Sequence, residues 1–545
     1  MNKSILLLVA LAGAAFAQPV ITPAGVINAT GYQTILAPDT VFVVFGSGLG
    51  PASIVGATGP NFPTSVGGTS ITFTGSSGAP IDAKMIYSVA TQVAGLLPSS
   101  ITPGTYAVKV SFNGQTSAPQ NVTVAARSFG IATANSAGTG AAQATIGNVN
   151  SGISLVRMTG GSVSFGGLNW TLSPAHPGDE LVLWGTGGGA DAANDSGGSS
   201  GDQTAAGNFS VNVDGTLIVP LYAGASSGNP GLWQINFVLP SDIAADCFAS
   251  VQVSAGGQLS NPATIAIAPA GQSSCSSTIS PATLAKLDSG TGTVTMSGLV
   301  IGQLNGTGGS VGGVINRYTV SEFLIPYSGP KFGSCNVLDE TYPAGSKEPS
   351  APDATLDAGT LTISGPGGLQ QTIAKTAQPL GPLYNSSLSI TDGATYTISA
   401  TGGSEVGPFK ISTTFPTSFA VSNLAALATI KRSAPLNVNW IGTGFNTARI
   451  LIIDDVETAT TVHGVAVSCN VPASLGTYTI PAAALAYLPA GSAQIQVLAV
   501  MSGGGAQSAE STTDPNTVIP LVVGGLVDFG GFGPYIDFLQ AATVQ

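Results

Sequence analysis

Three times along the chain a short run of β-branched and aromatic residues ends in glycine, a hydroxyl residue and glycine. Residues 39–50 read Asp-Thr-Val-Phe-Val-Val-Phe-Gly-Ser-Gly-Leu-Gly, residues 179–189 read Asp-Glu-Leu-Val-Leu-Trp-Gly-Thr-Gly-Gly-Gly, and residues 436–445 read Leu-Asn-Val-Asn-Trp-Ile-Gly-Thr-Gly-Phe. Such a run suits a half-buried strand, and the glycines that close it permit turn geometry that other residues reach only with strain. No long stretch places apolar residues at helical spacing, while glycine (74 residues) and proline (35) punctuate the chain throughout. An all-β fold is expected, and 545 residues are too many for one core.

Charge narrows the range of partners. Only 7% of residues are charged against 43% hydrophobic, the reverse of the balance that keeps a chain disordered. The formal net charge is -12 and the Lys and Arg are scattered, so nucleic acid and anionic membrane surfaces are poor partners. At the start, Lys3, an apolar run over residues 5–15 and the small-x-small sequence Ala15-Phe16-Ala17 predict a signal peptide over residues 1–17 and a mature terminus at Gln18. The expected destination is the cell exterior or cell surface. The other long apolar run, residues 518–527, contains Pro520, Gly524 and Gly525 and stops at Asp528, too short to span a bilayer.

The first half of the chain repeats itself. Gln92-Val93-Ala94-Gly95-Leu96-Leu97-Pro98-Ser99 is echoed by Gln234-Ile235-Asn236-Phe237-Val238-Leu239-Pro240-Ser241, and Asn113-Gly114-Gln115 by Gly256-Gly257-Gln258. Together with the glycine turns these echoes keep order and a spacing of about 140 residues, which marks a tandem duplication. The motifs Ile21-Thr22-Pro23-Ala24-Gly25-Val26, Phe45-Gly46-Ser47-Gly48-Leu49-Gly50, Pro63-Thr64-Ser65-Val66-Gly67-Gly68 and Pro103-Gly104-Thr105-Tyr106 are joined by Tyr222-Ala223-Gly224 and Gly231-Leu232-Trp233-Gln234-Ile235-Asn236. In this set, residues 19–268 resemble the Solibacter-type uncharacterised C-terminal domain family of Acidobacteria. The resemblance implies a pair of immunoglobulin-like domains on a secreted bacterial protein, distantly similar to the IPT/TIG sandwich, and it brings no catalytic or binding residues with it. That family usually sits at the end of longer chains, whereas here it directly follows the signal peptide.

The expected organisation is a series of about four immunoglobulin-like β-sandwiches at residues 18–128, 129–268, 282–430 and 431–545, with a Ser- and Ala-rich linker at 269–281. Residues 339–353 read as a polar loop of the third unit. Cys247, Cys275, Cys335 and Cys469 are even in number in a chain bound for an oxidising compartment, so two disulfides are expected. Cys247 begins one strand-like run and Cys275 follows the next, which favours their pairing. Cys335 with Cys469 then follows by elimination.

Residues 197–201, 224–228 and 308–312 match the nucleophile-elbow pattern, with His176 and His463 as the available bases, but none lies between a strand and a helix. A glycosidase needs two facing carboxylates, and Asp454, Asp455, Glu340 and Glu348 are the acids available for it. Asp191, Asn194, Asp195 and Asp202 fall in one Gly/Ser-rich loop whose oxygens suit calcium, without the spacing of a known calcium motif; no other cofactor is indicated. Trp170 and Trp233 lie beside turns where they could face sugar, whereas Trp184 and Trp440 belong to strands and read as core. The loops at residues 50–60 and 187–203 are the longest candidate recognition segments.

A non-catalytic secreted or surface protein is thus expected, acting in adhesion, recognition or as a stalk on an extracellular protein or polysaccharide. The alternative is a carbohydrate-binding or catalytic component of extracellular polysaccharide degradation. A third reading, an outer-membrane barrel, is disfavoured by the absent aromatic girdle.

Overall fold

A computed structural model describes residues 18–76, 78–147, 153–165, 168–275, 280–322, 334–344, 351–442, 444–501, 519–522 and 526–545. The expected signal peptide, residues 1–17, and Glu348 lie outside these residues. Among the described residues the fold is all-β, built as successive sandwiches, and the buried apolar side chains gather into three cores. No helix among them is long and apolar enough to cross a membrane.

In the first sandwich, a five-stranded sheet runs in the order Val20–Asn28, Val41–Ser47, Gln92–Leu96, Lys84–Val89, Val55–Gly56. It faces a six-stranded sheet centred on Gly104–Phe112. Alternation along Val41–Ser47 sends Phe42 and Val44 inward, where Phe42 meets Phe73 of the opposite sheet edge-on at 5.3 Å. The second sandwich repeats the plan with eight- and five-stranded sheets. Its register shows the duplication residue by residue. Phe45 pairs with Gln92 in the first unit and Trp184 with Gln234 in the second. The hairpin glycines match as well, since Asn113 and Gly114 (φ 48° and 80°) correspond to Gly256 and Gly257 (φ 58° and 84°), the two positive φ angles of a type I′ turn.

The first glycine of each Gly-Ser/Thr-Gly turn is required by a crossing. A Cβ on Gly46 would sit 2.0 Å from the carbonyl oxygen of Val20, one on Gly185 2.0 Å from that of Gly130, and one on Gly442 2.3 Å from that of Ser418. In the first two units the carbonyl belongs to the opening strand of the sandwich (Val20–Asn28 or Gly130–Ile131), and in the third it lies just before Ala420–Val421. Each of these strands pairs with the strand that runs into the turn.

The C-terminal half is organised differently from the expectation. The units placed at residues 282–430 and 431–545 share one twelve-stranded sheet and one core that runs from Leu299 to Val544. Phe529–Val544 joins them, pairing in parallel with Thr293–Leu304 and antiparallel with Gly491–Val500. Its Gly-Gly-Phe-Gly-Pro opening has no strand alternation, which hid it in the sequence. The described residues of the expected linker are also tied down. Cys275 is buried and its N–H donates to Met158 O at 2.8 Å, and Pro281–Ser289 is a helix capped by Ser280 Oγ, which accepts from Thr283 N at 3.2 Å.

Buried polar contacts lock the first two sandwiches together. Asn28 Nδ2 donates to Ser128 O and Thr186 O at 3.2 and 3.3 Å, and Thr186 Oγ1 accepts from Val41 N at 2.8 Å. Trp233 is fully buried and its Nε1 donates to Asp39 Oδ2 at 3.1 Å. The other carboxyl oxygen of Asp39 is buried without a partner. Burial drives this carboxyl up to about 8; the Trp233 hydrogen bond opposes the rise, Asp195 and Asp191 add to it, and Lys84 weakly counters it.

Two outcomes are expected from these features. Alanine at Gly46 or Gly185 should lower unfolding stability by about 1–3 kcal/mol in denaturant melts. Gly298→Ala, whose new Cβ meets nothing nearer than Val314 O at 3.7 Å, should stay near wild type. Asp39 is protonated when folded and ionised when unfolded between its ordinary carboxylate range and about pH 8, so stability falls as pH rises through that window. Asp39→Asn should flatten this decline, and equal pH slopes of Tm in variant and wild type would refute the assignment.

Candidate functional site: a cleft where the three cores meet

The bodies that carry the three cores enclose a cleft of about 640 Å³, a size typical of ligand pockets. One wall comes from a fault in the opening strand. Val20–Asn28 loses register with Val41–Ser47 between Ile21 and Val26, where Pro23 has no N–H to donate and Ala24 takes φ 55°. The bulge turns residues 22–25 into the cleft. A second wall is Ser334–Pro343, the edge strand of the twelve-stranded sheet, which lies against Val20–Asn28. The third is the 256–262 hairpin of the second sandwich with residues 137–139.

The edge strand corrects the sequence reading of residues 339–353 as a loop throughout, because residues 339–343 are strand. Its register is held by Cys335–Cys469, which bridges residues directly opposite on neighbouring antiparallel strands with Cα atoms 4.0 Å apart. Thr341 faces His463 in this ladder, so Asp339 is the diagonal neighbour of the imidazole. His463 Nε2 and Asp339 Oδ1 lie 2.8 Å apart at the cleft rim, with the two side chains 39% and 50% exposed. The hydrogen bond to Asp339 raises the pKa of His463, and burial partly opposes this. Tyr487 is raised by burial and then by Asp339.

Deeper in the cleft most polar groups are occupied. Asn261 Nδ2 donates to Ile131 O at 3.0 Å and Gly138 O at 2.7 Å while its Oδ1 accepts from Ile131 N at 2.7 Å. Ser260 Oγ donates to Asn261 O at 2.8 Å and accepts from Val253 N at 2.9 Å. Among the described lining residues two groups lack a protein partner and are closed off from solvent. Gln33 Oε1 and Thr139 Oγ1 are buried with no hydrogen-bond partner, although Gln33 Nε2 donates to Phe129 O at 3.2 Å.

The residues singled out from sequence fare unevenly. Trp233 is not a sugar platform, because it is fully buried, stacked on Phe209 and bonded to Asp39. Trp170 is half-buried on Leu168–Ser173, opposite Val163 and away from the cleft. The four calcium candidates do not converge. Asp191 accepts from Ala193 N, Ser200 N and Ser200 Oγ, Asp195 from Ser99 N and Oγ, and Asp202 from Thr204 N, Thr204 Oγ1 and Ala223 N, while Asn194 bridges Gly198 O, Ser226 O and Gly231 N. Of these four, only Asp195 ties the 187–203 loop to the first sandwich, with Lys84 Nζ also donating to Asp195 O at 2.8 Å, while the partners of Asp191, Asn194 and Asp202 lie within the second unit. Among the described residues no group of three or more His, Cys, Asp or Glu could hold a metal. In that loop residues 190, 192, 193, 196, 200 and 202 are exposed, as are residues 52–56 of the 50–60 loop.

Cys335 and Cys469 form the expected disulfide, but Cys247 and Cys275 are not joined. Both are buried in the second core, and the Cys275 thiol donates to Ile267 O at 3.6 Å. His176 belongs to a turn with Asp179 and Gln272 O, and none of the three elbow matches runs from a strand into a helix. Asp454 and Asp455 point to opposite faces of Thr447–Glu457, the first buried and the second exposed. Glu340 is on the edge strand opposite Gly464. Gln33, Thr139, Tyr32 and Tyr487 had no local pattern to reveal them, and Asp339 entered the reading only as the start of a loop. His463 stood out only as one of two histidines.

No family model matches the chain, and no curated protein matches it. Among solved structures it is similar to a tetra-tandem repeat in the extending region of a large adhesion protein, at 13% identity over 96% of this chain and 99% of that one, with a TM-score of 0.14. It is also similar to SGBP-B of a Bacteroides ovatus mixed-linkage glucan utilization locus, in complex with a heptasaccharide (10% identity, 76% and 88% covered, TM-score 0.12). A third is SGBP-B from a xyloglucan utilization locus in Bacteroides uniformis (10%, 68% and 86%, TM-score 0.17). Scores this low transfer no function, and the sandwich architecture rests on this chain's own sheets and cores.

The rim pair gives a direct check. The imidazole of His463 should titrate above its ordinary value by NMR, and Asp339→Asn should bring it down. Its share of stability is complete below the ordinary histidine pKa and is lost as pH rises through the folded value. An unshifted His463 would refute the pairing.

Proposed function

We propose that the protein is a secreted or cell-surface recognition protein that holds an extracellular polysaccharide or protein in this cleft without cleaving it. The carrying observation is the cleft itself, whose described lining holds one carboxylate, Asp339, bonded to His463. Hydrolysis of a glycosidic bond by the usual route takes two carboxylates across the scissile bond, and acyl transfer takes a nucleophile bonded to its base. Among the described residues no hydroxyl bonds His463. The secretory pattern of residues 1–17, the family resemblance of residues 19–268 and the cross-strand disulfide all agree with work outside the cell.

Co-sedimentation of residues 18–545 with insoluble polysaccharides and bacterial envelopes tests this reading, with the supernatants assayed for released sugar. Retention on at least one surface, without release, and weakened by His463→Ala at the exposed rim is the expected result. Released sugar would make the protein an enzyme, and no retention on any surface would leave a structural stalk.

A further inference from the structure

Between the first two sandwiches an ionisable side chain is shut away from water. Asp39 is fully buried with φ 63°, and its N–H donates to Leu97 O at 2.9 Å. Its carboxyl reaches across to the second unit, where one oxygen accepts from Trp233 Nε1 at 3.1 Å and the other meets no partner. The charged groups that act on it come from both sides. Asp195 and Asp191, on the 187–203 loop of the second unit, oppose a further negative charge there, and Lys84 of the first sandwich favours one weakly. Lys84 Nζ is itself taken up by Asp195 O, and the Asp195 carboxylate by Ser99 N and Oγ, so these groups belong to the same joint.

The joint differs in kind from what lies on either side of it. The apolar side chains of the two sandwiches form separate cores. Around Asp39, by contrast, the units are joined by hydrogen bonds, from Asn28 and Val41 to Thr186, from Trp233 to Asp39 and from Ser99 to Asp195. Water replaces bonds of this kind at small net cost, while opening a core exposes apolar surface. A carboxylate formed at Asp39 must gain water or a cation. The least costly route to water is therefore to part the two units and leave each core closed. Parting also moves walls of the cleft, because the lining residues between 22 and 35 belong to the first sandwich and residues 137–139 and 258–262 to the second.

We propose that this junction is a proton-operated joint: with Asp39 protonated the two sandwiches are locked and the cleft keeps its shape, and ionisation of Asp39 releases one from the other while both stay folded. Nothing in this device depends on what the cleft holds. Burial pushes the Asp39 carboxyl up to about 8 in the closed joint, with the Trp233 bond opposing the rise. A hydrated carboxyl in the parted joint returns to its ordinary range. The parted form thus binds fewer protons than the closed one across this window. The ratio of parted to closed should grow about tenfold per pH unit there and level off above about pH 8.

Pulsed EPR distances in the full chain test this, with spin labels on Lys109→Cys in the first sandwich and Leu217→Cys in the second, both exposed positions. Between about pH 5 and pH 9 a second, broader distance should grow at the expense of the closed one, with near-UV circular dichroism unchanged. Asp39→Asn, which cannot ionise, should hold the closed distance throughout. Ser99→Ala removes a bond to Asp195 across the joint and should raise the parted fraction severalfold at every pH without changing the slope. Wild-type distances indifferent to pH overturn the proposal, as does equal opening in Asp39→Asn. A near-UV signal lost in step with the distance change overturns it too, since the chain would then be unfolding rather than parting. Should Asp39→Asn fail to fold, the wild-type titration and the Ser99→Ala slope decide.

Discussion

A strand carbonyl crossing the face of a glycine is the contact on which this chain's architecture depends. At Gly46 and Gly185 the opening strand of the sandwich passes so close that no side chain fits, and at Gly442 the carbonyl just before that strand does the same. That contact fixes where the first strand lies on the second, and the register of the second fixes the next, so that Phe45 meets Gln92 and Trp184 meets Gln234. The chain copied a packing solution, and the sequence echoes are its trace.

The crossing sets each unit, but a different kind of contact sets the units against each other. Between the first two sandwiches the junction is made by buried amide, hydroxyl, indole and carboxyl groups around Asn28, Asp39, Thr186 and Trp233. Directional bonds of this kind define a relative orientation that apolar contact alone would leave loose. The same regions carry the bulge at residues 22–25 and the 256–262 hairpin, so fixing the orientation also shapes the cleft. In the C-terminal half the joining element is a backbone ladder, in which Phe529–Val544 runs between strands from both ends of the region.

The candidate site was far less legible than the fold. Turn glycines, alternation and the duplication are local or periodic, and they survive in one dimension. The cleft combines residues from around positions 33, 139, 260, 339, 463 and 487, and no spacing links them. Trp233 shows the difficulty in one residue. Beside a turn and ahead of a strand it reads as an exposable platform, yet Asp39, 194 positions away, accepts its indole proton in the interior. The acidic loop misled in the same way, because Asp191 and Asp202 organise backbone, and Asp195 reaches across to Ser99.

By itself the sequence determined the all-β class, the repeated glycine turn, the tandem relation of the first two units and one correctly paired disulfide. Each follows from steric and patterning rules that act within a strand or a turn, apart from Cys335–Cys469, which was reached by elimination from a Cys247–Cys275 pairing that the structure does not contain. Only the tertiary structure decided that the last two expected units share a sheet, that Cys247 and Cys275 stay unjoined, and which side chains line a cleft. The physical reason is that burial and partner choice are properties of packed surfaces. Whether a tryptophan is a platform or a core, or an aspartate a ligand or a cap, depends on what another part of the chain brings to it.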